Sequence, residues 1–169
     1  PERISIVGIG ESKNGADCEE RAPFITPQEE WEKYGCEDPR ITKYGSKYYL
    51  FYTALSTYPF SADGISVGVA ITKDLKNVIA KHHVTNFNSK AMALFSAPVN
   101  GKMAAILTAN TDRPPAKIAI ATFKKEEEMW SEEYWSRWYE NLDDHTIPLL
   151  RRPEDHIEGG APPVLTRQG

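Results

Sequence analysis

The densest chemical text in the chain is the run Gly35-Cys36-Glu37-Asp38-Pro39-Arg40. Two adjacent carboxyl groups, a proline that stiffens the backbone and a permanently charged guanidinium suit acid–base work. Cleavage of a glycosidic bond, for instance, needs a carboxylic acid to protonate the leaving oxygen and a nucleophile on the opposite face. Arg40 can hold a carboxylate or a sugar hydroxyl through a two-pronged fork. By spacing alone, the same six residues also read as a solvated turn closed by a local ion pair.

No other run is as concentrated. His82 and His83 follow Lys81 with no carboxylate at ligand spacing, and His145 and His156 stand alone, so all four read as surface groups and no metal site is expected. Cys18 and Cys36 lack paired ligand spacing; they read as two buried thiols, or as one bridge if the protein is exported. There is no Gly-rich phosphate loop, no Ser-His-Asp order and no cofactor motif.

Short β-type runs separated by turn residues would have to position this chemistry. They are Ile4–Ile9, Tyr48–Tyr52 after the turn at Gly45, Ile65–Ile71, Met103–Leu107 after Asn100-Gly101, and Lys117–Thr122. The runs repeat. Pro39 opens one unit, which turns at Gly45 and closes with Ile65–Ile71. Pro98 opens the next, which turns at Gly101 and closes with Ile118–Thr122. Pro162 to Thr166, followed by Gly169, opens a third, and Ile4–Ile9 closes a unit whose opening is missing. A period of roughly 50 to 65 residues suits a four-stranded propeller blade with loop insertions. A β-sandwich shares the short strands but does not predict one ordered pair of strand types recurring.

Residues 124–144 break this pattern. Trp130, Tyr134, Trp135 and Trp138 follow helical spacing and predict one inserted amphipathic helix, its rings packing on the sheets or walling a sugar subsite.

The whole chain has 169 residues, 40% apolar and 26% charged, with a formal charge of −4, which fits a folded domain with a sizeable core. The absence of a basic cluster argues against nucleic acid as a partner. No apolar stretch approaches the roughly 20 residues of a membrane helix. The compartment stays open, with the cytoplasm as first expectation.

Gly35 through Ala54, reading Gly-Cys-Glu-Asp-Pro-Arg-Ile-Thr-Lys-Tyr-Gly-Ser-Lys-Tyr-Tyr-Leu-Phe-Tyr-Thr-Ala, closely resembles the signature of glycoside hydrolase family 130, which comprises β-mannoside phosphorylases and related mannosidases. Ile65–Leu75, Ser89–Phe95 and Gly160–Val164 agree with it in order. The resemblance implies an all-β chain forming a five-bladed β-propeller with its site on the axis. Residues 1–169 would be a partial propeller catalytic domain, truncated at both ends and exposing open blade edges.

It further implies that Asp38 is the general acid, delivering its proton through a mannose hydroxyl, and that cleavage inverts configuration. Glu37, Arg40 and Lys90 would support the site. Lys90 and Arg113 match positions near the family's phosphate-binding cations, and the histidine expected after Gly160-Ala161-Pro162-Pro163 falls beyond Gly169. Glu158, in His156-Ile157-Glu158-Gly159-Gly160, stands where family phosphorylases have a neutral element. A carboxylate there would repel phosphate yet could serve as base for water.

The expectation therefore leans to hydrolysis of β-mannosides. The alternatives are phosphorolysis giving mannose 1-phosphate and a propeller that binds glycan without cleaving it. The partner expected is a small oligosaccharide, with inorganic phosphate as a co-substrate on the phosphorolysis branch and no cofactor. Assembly into a homo-oligomer is compatible with this reading.

Overall fold

The computed structural model describes residues 4–152 and 155–167. Along them run β1 (Val7–Glu11), β2 (Glu19–Ile25), a 3-10 turn (Glu30–Glu32), β3 (Gly35–Tyr44), β4 (Lys47–Leu55), β5 (Ile65–Thr72), β6 (Val78–His83), β7 (Ser89–Leu94), β8 (Met103–Ala109) and β9 (Lys117–Phe123). A second 3-10 turn (Glu126–Trp130) leads into α1 (Glu132–Glu140) and α2 (Leu142–His145). The strands form three separate antiparallel sheets of order β1-β2, β3-β4-β5-β6 and β7-β8-β9. The segment after α2 adds a short rung to β9, where the Ile147 N–H donates to the Ile118 carbonyl at 2.8 Å.

β4 shows why the sheets lie where they do. Successive side chains of a strand point to opposite faces, yet Tyr48 to Leu55 is apolar at nearly every step because both faces are covered. Tyr49 and Phe51 join Val67, Val69 and Ile71 of β5 in a core shared with Met92, Leu94, Leu107, Phe123 and Trp135. Leu50, Tyr52 and Ala54 face the other way, against Val7, Ile25 and Cys36. That second face needs Gly68: a methyl group there would stand 2.6 Å from Trp31 and 2.7 Å from Tyr52.

Both runs expected as closing strands are strands, Ile65–Ile71 as β5 and Ile118–Thr122 as β9, but only β9 closes its sheet; β6 follows β5 at the edge of the other. The other ends of the repeat need correction. Pro98 does not open a unit; β7 opens that sheet, and Pro98 lies in the connection from β7 to β8. Ile4–Ile9 becomes β1, shifted to Val7–Glu11. No strand is assigned at Pro162–Thr166, and Gly169 lies outside the described residues.

The single helix expected over 124–144 is three pieces. Ser131 leaves helical geometry (φ −84°, ψ 118°) to cap α1, its hydroxyl accepting the Tyr134 N–H, and Asn141 (φ −113°, ψ 31°) separates α1 from α2. Trp135 and Trp138 are buried against Phe87 and Phe123 and pack the core, while Trp130 and Tyr134 are half-buried at its edge. Cys36 is buried, but Cys18 is exposed and both thiols are free. His82 and His83 end β6 instead of lying in a loop, and His82 stacks on Trp130 with centroids 4.0 Å apart.

Candidate active site

The register of β3 on β4 slips at the residues of interest. Glu37 pairs with Thr53 and Arg40 with Phe51, so Asp38 and Pro39 together oppose the single residue Tyr52. This is a β-bulge, one of the few places in a sheet that tolerates a proline, which has no N–H for the ladder. Asp38 adopts φ +51° and its side chain is exposed. A left-handed backbone at an L residue costs about 1 kcal/mol, and here it turns a carboxyl group out of the sheet.

Arg40 fixes the bulge to a distant segment. Its Nη1 donates to the Asp38 carbonyl at 3.0 Å, its Nη2 to the Gly159 carbonyl at 3.0 Å and its Nε to the Gly160 carbonyl at 2.8 Å. The Glu158 carboxylate lies 3.9 Å from Nη2, and its other oxygen lies 3.7 Å from His156 Nε2. Arg40 therefore spends its fork on backbone carbonyls. Glu37 accepts a 2.6 Å hydrogen bond from the Ser5 hydroxyl.

β7 repeats the device. Lys90 pairs with Thr108 and Ala93 with Ile106, leaving Ala91 and Met92 to oppose Leu107, and Ala91 has φ +54°. Lys90 thus holds in β7 the place that Glu37 holds in β3, and Ala91 the place of Asp38. The segment clasped by Arg40 reaches this second bulge too. Gly159 donates its N–H to the Thr108 hydroxyl at 2.8 Å, and a methyl group on Gly159 would stand 3.3 Å from the Ala91 carbonyl. With Thr42 Oγ1 donating to the Leu94 carbonyl at 2.9 Å, β3, β7 and residues 158–160 form one unit that gathers Glu37, Asp38, Arg40, Lys90 and Glu158.

The two expected anion ligands are already paired. Lys90 Nζ lies 3.1 Å from Asp112 Oδ1. Asn88 fixes Asp112 from two sides, donating to its carboxylate at 3.1 Å and accepting its backbone N–H at 2.8 Å. Arg113 pairs with Asp63 on the connection from β4 to β5. Sequence reading missed both aspartates; the signal available for Asp112 was its place beside Arg113.

It also missed a buried charge behind the bulge. Glu32 is fully buried, and its carboxylate pairs with Lys81 and accepts hydrogen bonds from the Tyr52 hydroxyl at 2.6 Å, the Gln28 N–H at 2.8 Å and the Cys36 thiol at 3.4 Å. Burial pushes this carboxyl upward, but the hydrogen bonds from Lys81, Tyr52 and Gln28 together outweigh it and hold the group below the ordinary range. Burial and the neighbouring Glu32 push the Cys36 thiol and the Tyr52 hydroxyl well above theirs. Cys36 is therefore an inert thiol. Among the described residues, no group of three or more His, Cys, Asp or Glu could hold a metal ion, and no helix is long and apolar enough to cross a membrane.

Comparison with known proteins gives the family. The glycoside hydrolase family 130 model, described as beta-1,4-mannooligosaccharide phosphorylase, matches residues 2–169, and the chain belongs to that family. It is 26% identical over 171 residues to a beta-1,2-mannobiose phosphorylase of Listeria innocua, an alignment covering 98% of this chain and 43% of the relative. It is 28% identical over 172 residues to a 1,2-beta-oligomannan phosphorylase of a Thermoanaerobacter species, covering 98% of this chain and 51% of the relative. The chain thus spans about half the length of these relatives. The solved structure of the Listeria enzyme in complex with beta-1,2-mannobiose superposes with a TM-score of 0.71 at 24% identity, covering 97% of this chain and 43% of that one, so the fold is shared.

Proposed function

We propose that the protein containing this chain cleaves β-mannosides by phosphorolysis, releasing mannose 1-phosphate. One observation carries the reading. A strained bulge turns Asp38 out of β3 and is tied through Arg40 to residues 158–160, which reach the second bulge beside Lys90. Strained backbone of this kind persists where the surroundings enforce it, often at reacting sites. The lean towards water that Glu158 suggested finds no support among the relatives, which are named phosphorylases.

In this mechanism, Asp38 gives its proton, by way of a mannose hydroxyl, to the leaving glycosidic oxygen. A phosphate oxygen attacks the anomeric carbon from the opposite face, the bond to the leaving sugar breaks and the configuration inverts. Lys90 and Arg113 supply positive charge for phosphate in competition with Asp112 and Asp63. Arg40 positions the acid. Residues 1–169 form part of a five-bladed β-propeller, with the β3–β6 and β7–β9 sheets as two of its blades; the recurring bulge and strand order support this arrangement.

The test uses the full-length protein on β-1,2- and β-1,4-linked mannosides, with and without phosphate. Mannose 1-phosphate formed only with phosphate is the expected result. Free mannose at a phosphate-independent rate would overturn it and make Glu158 the base for water, while glycan binding without turnover would leave a binding module. Asp38→Asn should lower kcat by about 100-fold or more; full turnover in that variant would refute the assignment of the acid.

A further inference from the structure

The connection from β4 to β5 carries two large rings that the fold leaves uncovered. Tyr58 is 55% exposed and Phe60 54% exposed, and they meet edge to face with centroids 5.5 Å apart. Tyr34 extends the group, its ring 6.2 Å from that of Tyr58. The Tyr34 N–H donates to the Leu55 carbonyl at 2.8 Å just before Gly35 begins β3. The rings therefore stand at the end of the sheet nearest Glu37 and Asp38.

The other side of the same connection is bound to the Lys90 network. The Ala62 carbonyl accepts from Asn88 Nδ2 at 3.1 Å, Asp63 pairs with Arg113, and Asn88 also holds Asp112, the partner of Lys90. The connection that bears the rings thus runs from the β3 end of the site to the Lys90 network and carries the Asp63 carboxylate three residues after Phe60. That combination is the chemistry of pyranose recognition. The C–H groups on one face of the sugar ring stack on an aromatic face, while its hydroxyls reach polar groups at the edge.

We infer that Tyr58 and Phe60, backed by Tyr34, form the platform for the sugar on the leaving side of the scissile bond. The sugar under attack has to sit where Asp38 and the acceptor both reach it, on the inner strands β3 and β7. Rings on a surface connection lie one sugar further out. The assignment rests on the proposed phosphorolysis, and it names the residues that select the leaving sugar.

The experiment runs the full-length enzyme in the synthetic direction, from mannose 1-phosphate and a mannose acceptor. Tyr58→Ala and Phe60→Ala should each raise the acceptor KM about tenfold or more, with the KM for mannose 1-phosphate changed by less than about twofold. Tyr58→Phe should restore most of the acceptor affinity, since the ring and not the hydroxyl does the stacking. An unchanged acceptor KM, or an equal rise in both constants together with a lower Tm, would overturn the platform.

If the wild-type protein turns over no mannoside, phosphorolysis itself fails and binding decides the platform separately. β-1,2-Mannobiose is then titrated by saturation-transfer NMR against the wild-type protein and the doubly substituted Tyr58→Ala, Phe60→Ala protein. About tenfold weaker binding to the double variant supports the platform, and equal binding refutes it.

Discussion

Thr53 and Thr108 hold the same register position in successive sheets, opposite Glu37 and opposite Lys90. The Thr108 hydroxyl accepts the Gly159 N–H, whereas the Thr53 hydroxyl is buried and meets no hydrogen-bond partner among the described residues. The two substitutions to valine should therefore differ in sign or size. Thr108→Val strands a backbone donor and should cost about 1–3 kcal/mol, while Thr53→Val removes no bond and should be neutral or stabilising. Urea unfolding of the full-length variants reads the contrast, and equal losses at both sites would show that the sheets do not use these threonines differently. At this scale the sequence was informative about residue identity and silent about partners. Asp38 and Pro39 stood out as text, and a proline inside a strand-like run is itself a bulge signal. That Arg40 clasps carbonyls some 120 residues away was not readable.

At the scale of elements, the 3-10 turn at Glu30–Glu32 is held on the β3–β6 sheet by the buried Glu32–Lys81 pair, with Tyr52, the residue opposite the Asp38 bulge, donating to the same carboxylate. Breaking one side of a buried pair costs more than removing both, because the survivor keeps its charge without compensation. Lys81→Met should cost about 3–5 kcal/mol, and adding Glu32→Leu should recover part of that loss. If the double variant is less stable than Lys81→Met alone, Glu32 contributes through something other than this pairing.

The pair also sets a pH dependence. The folded-state pKa of Glu32 lies below the unfolded value, so the unfolded chain takes up the proton first as pH falls. The stabilisation is complete above about pH 5 and is lost as pH drops through the folded value. The stability gap between wild type and Glu32→Gln should therefore narrow in acid, and a gap that stays constant to pH 3 would contradict this account. Glu29, Glu30 and Glu32 look alike in sequence. Only the packing of the turn selects the one that is buried.

At the scale of the whole molecule, both faces of the β3–β6 sheet are covered, but the segment after α2 leaves Val164 at 79% and Leu165 at 65% exposure. Adjacent apolar side chains of this kind, together with open sheet edges, invite association. Residues 1–169 produced alone should self-associate and show no mannoside turnover. A monomeric, cooperatively melting and active 169-residue product would refute both the partial-propeller proposal and the need for further sheets. β4, β5, β8 and β9 were legible because a strand in a covered sheet must be apolar over several consecutive residues. β2 and β6 were not, since each lies at a sheet edge and mixes charged with apolar residues.

The sequence by itself determined the family, the all-β class and the strands β4, β5, β8 and β9, and it singled out the Glu37-Asp38-Pro39-Arg40 run. Each is encoded locally, in a short motif or a run of side chains. The tertiary structure alone decided that Asp38 and Ala91 occupy matching bulges, that Arg40 ties the first to residues 159–160 while the Gly159 N–H reaches Thr108 beside the second, and that Lys90 and Arg113 meet Asp112 and Asp63. These depend on register and on which chain ends up beside which, and one slipped residue in a strand turns every later side chain to the opposite face.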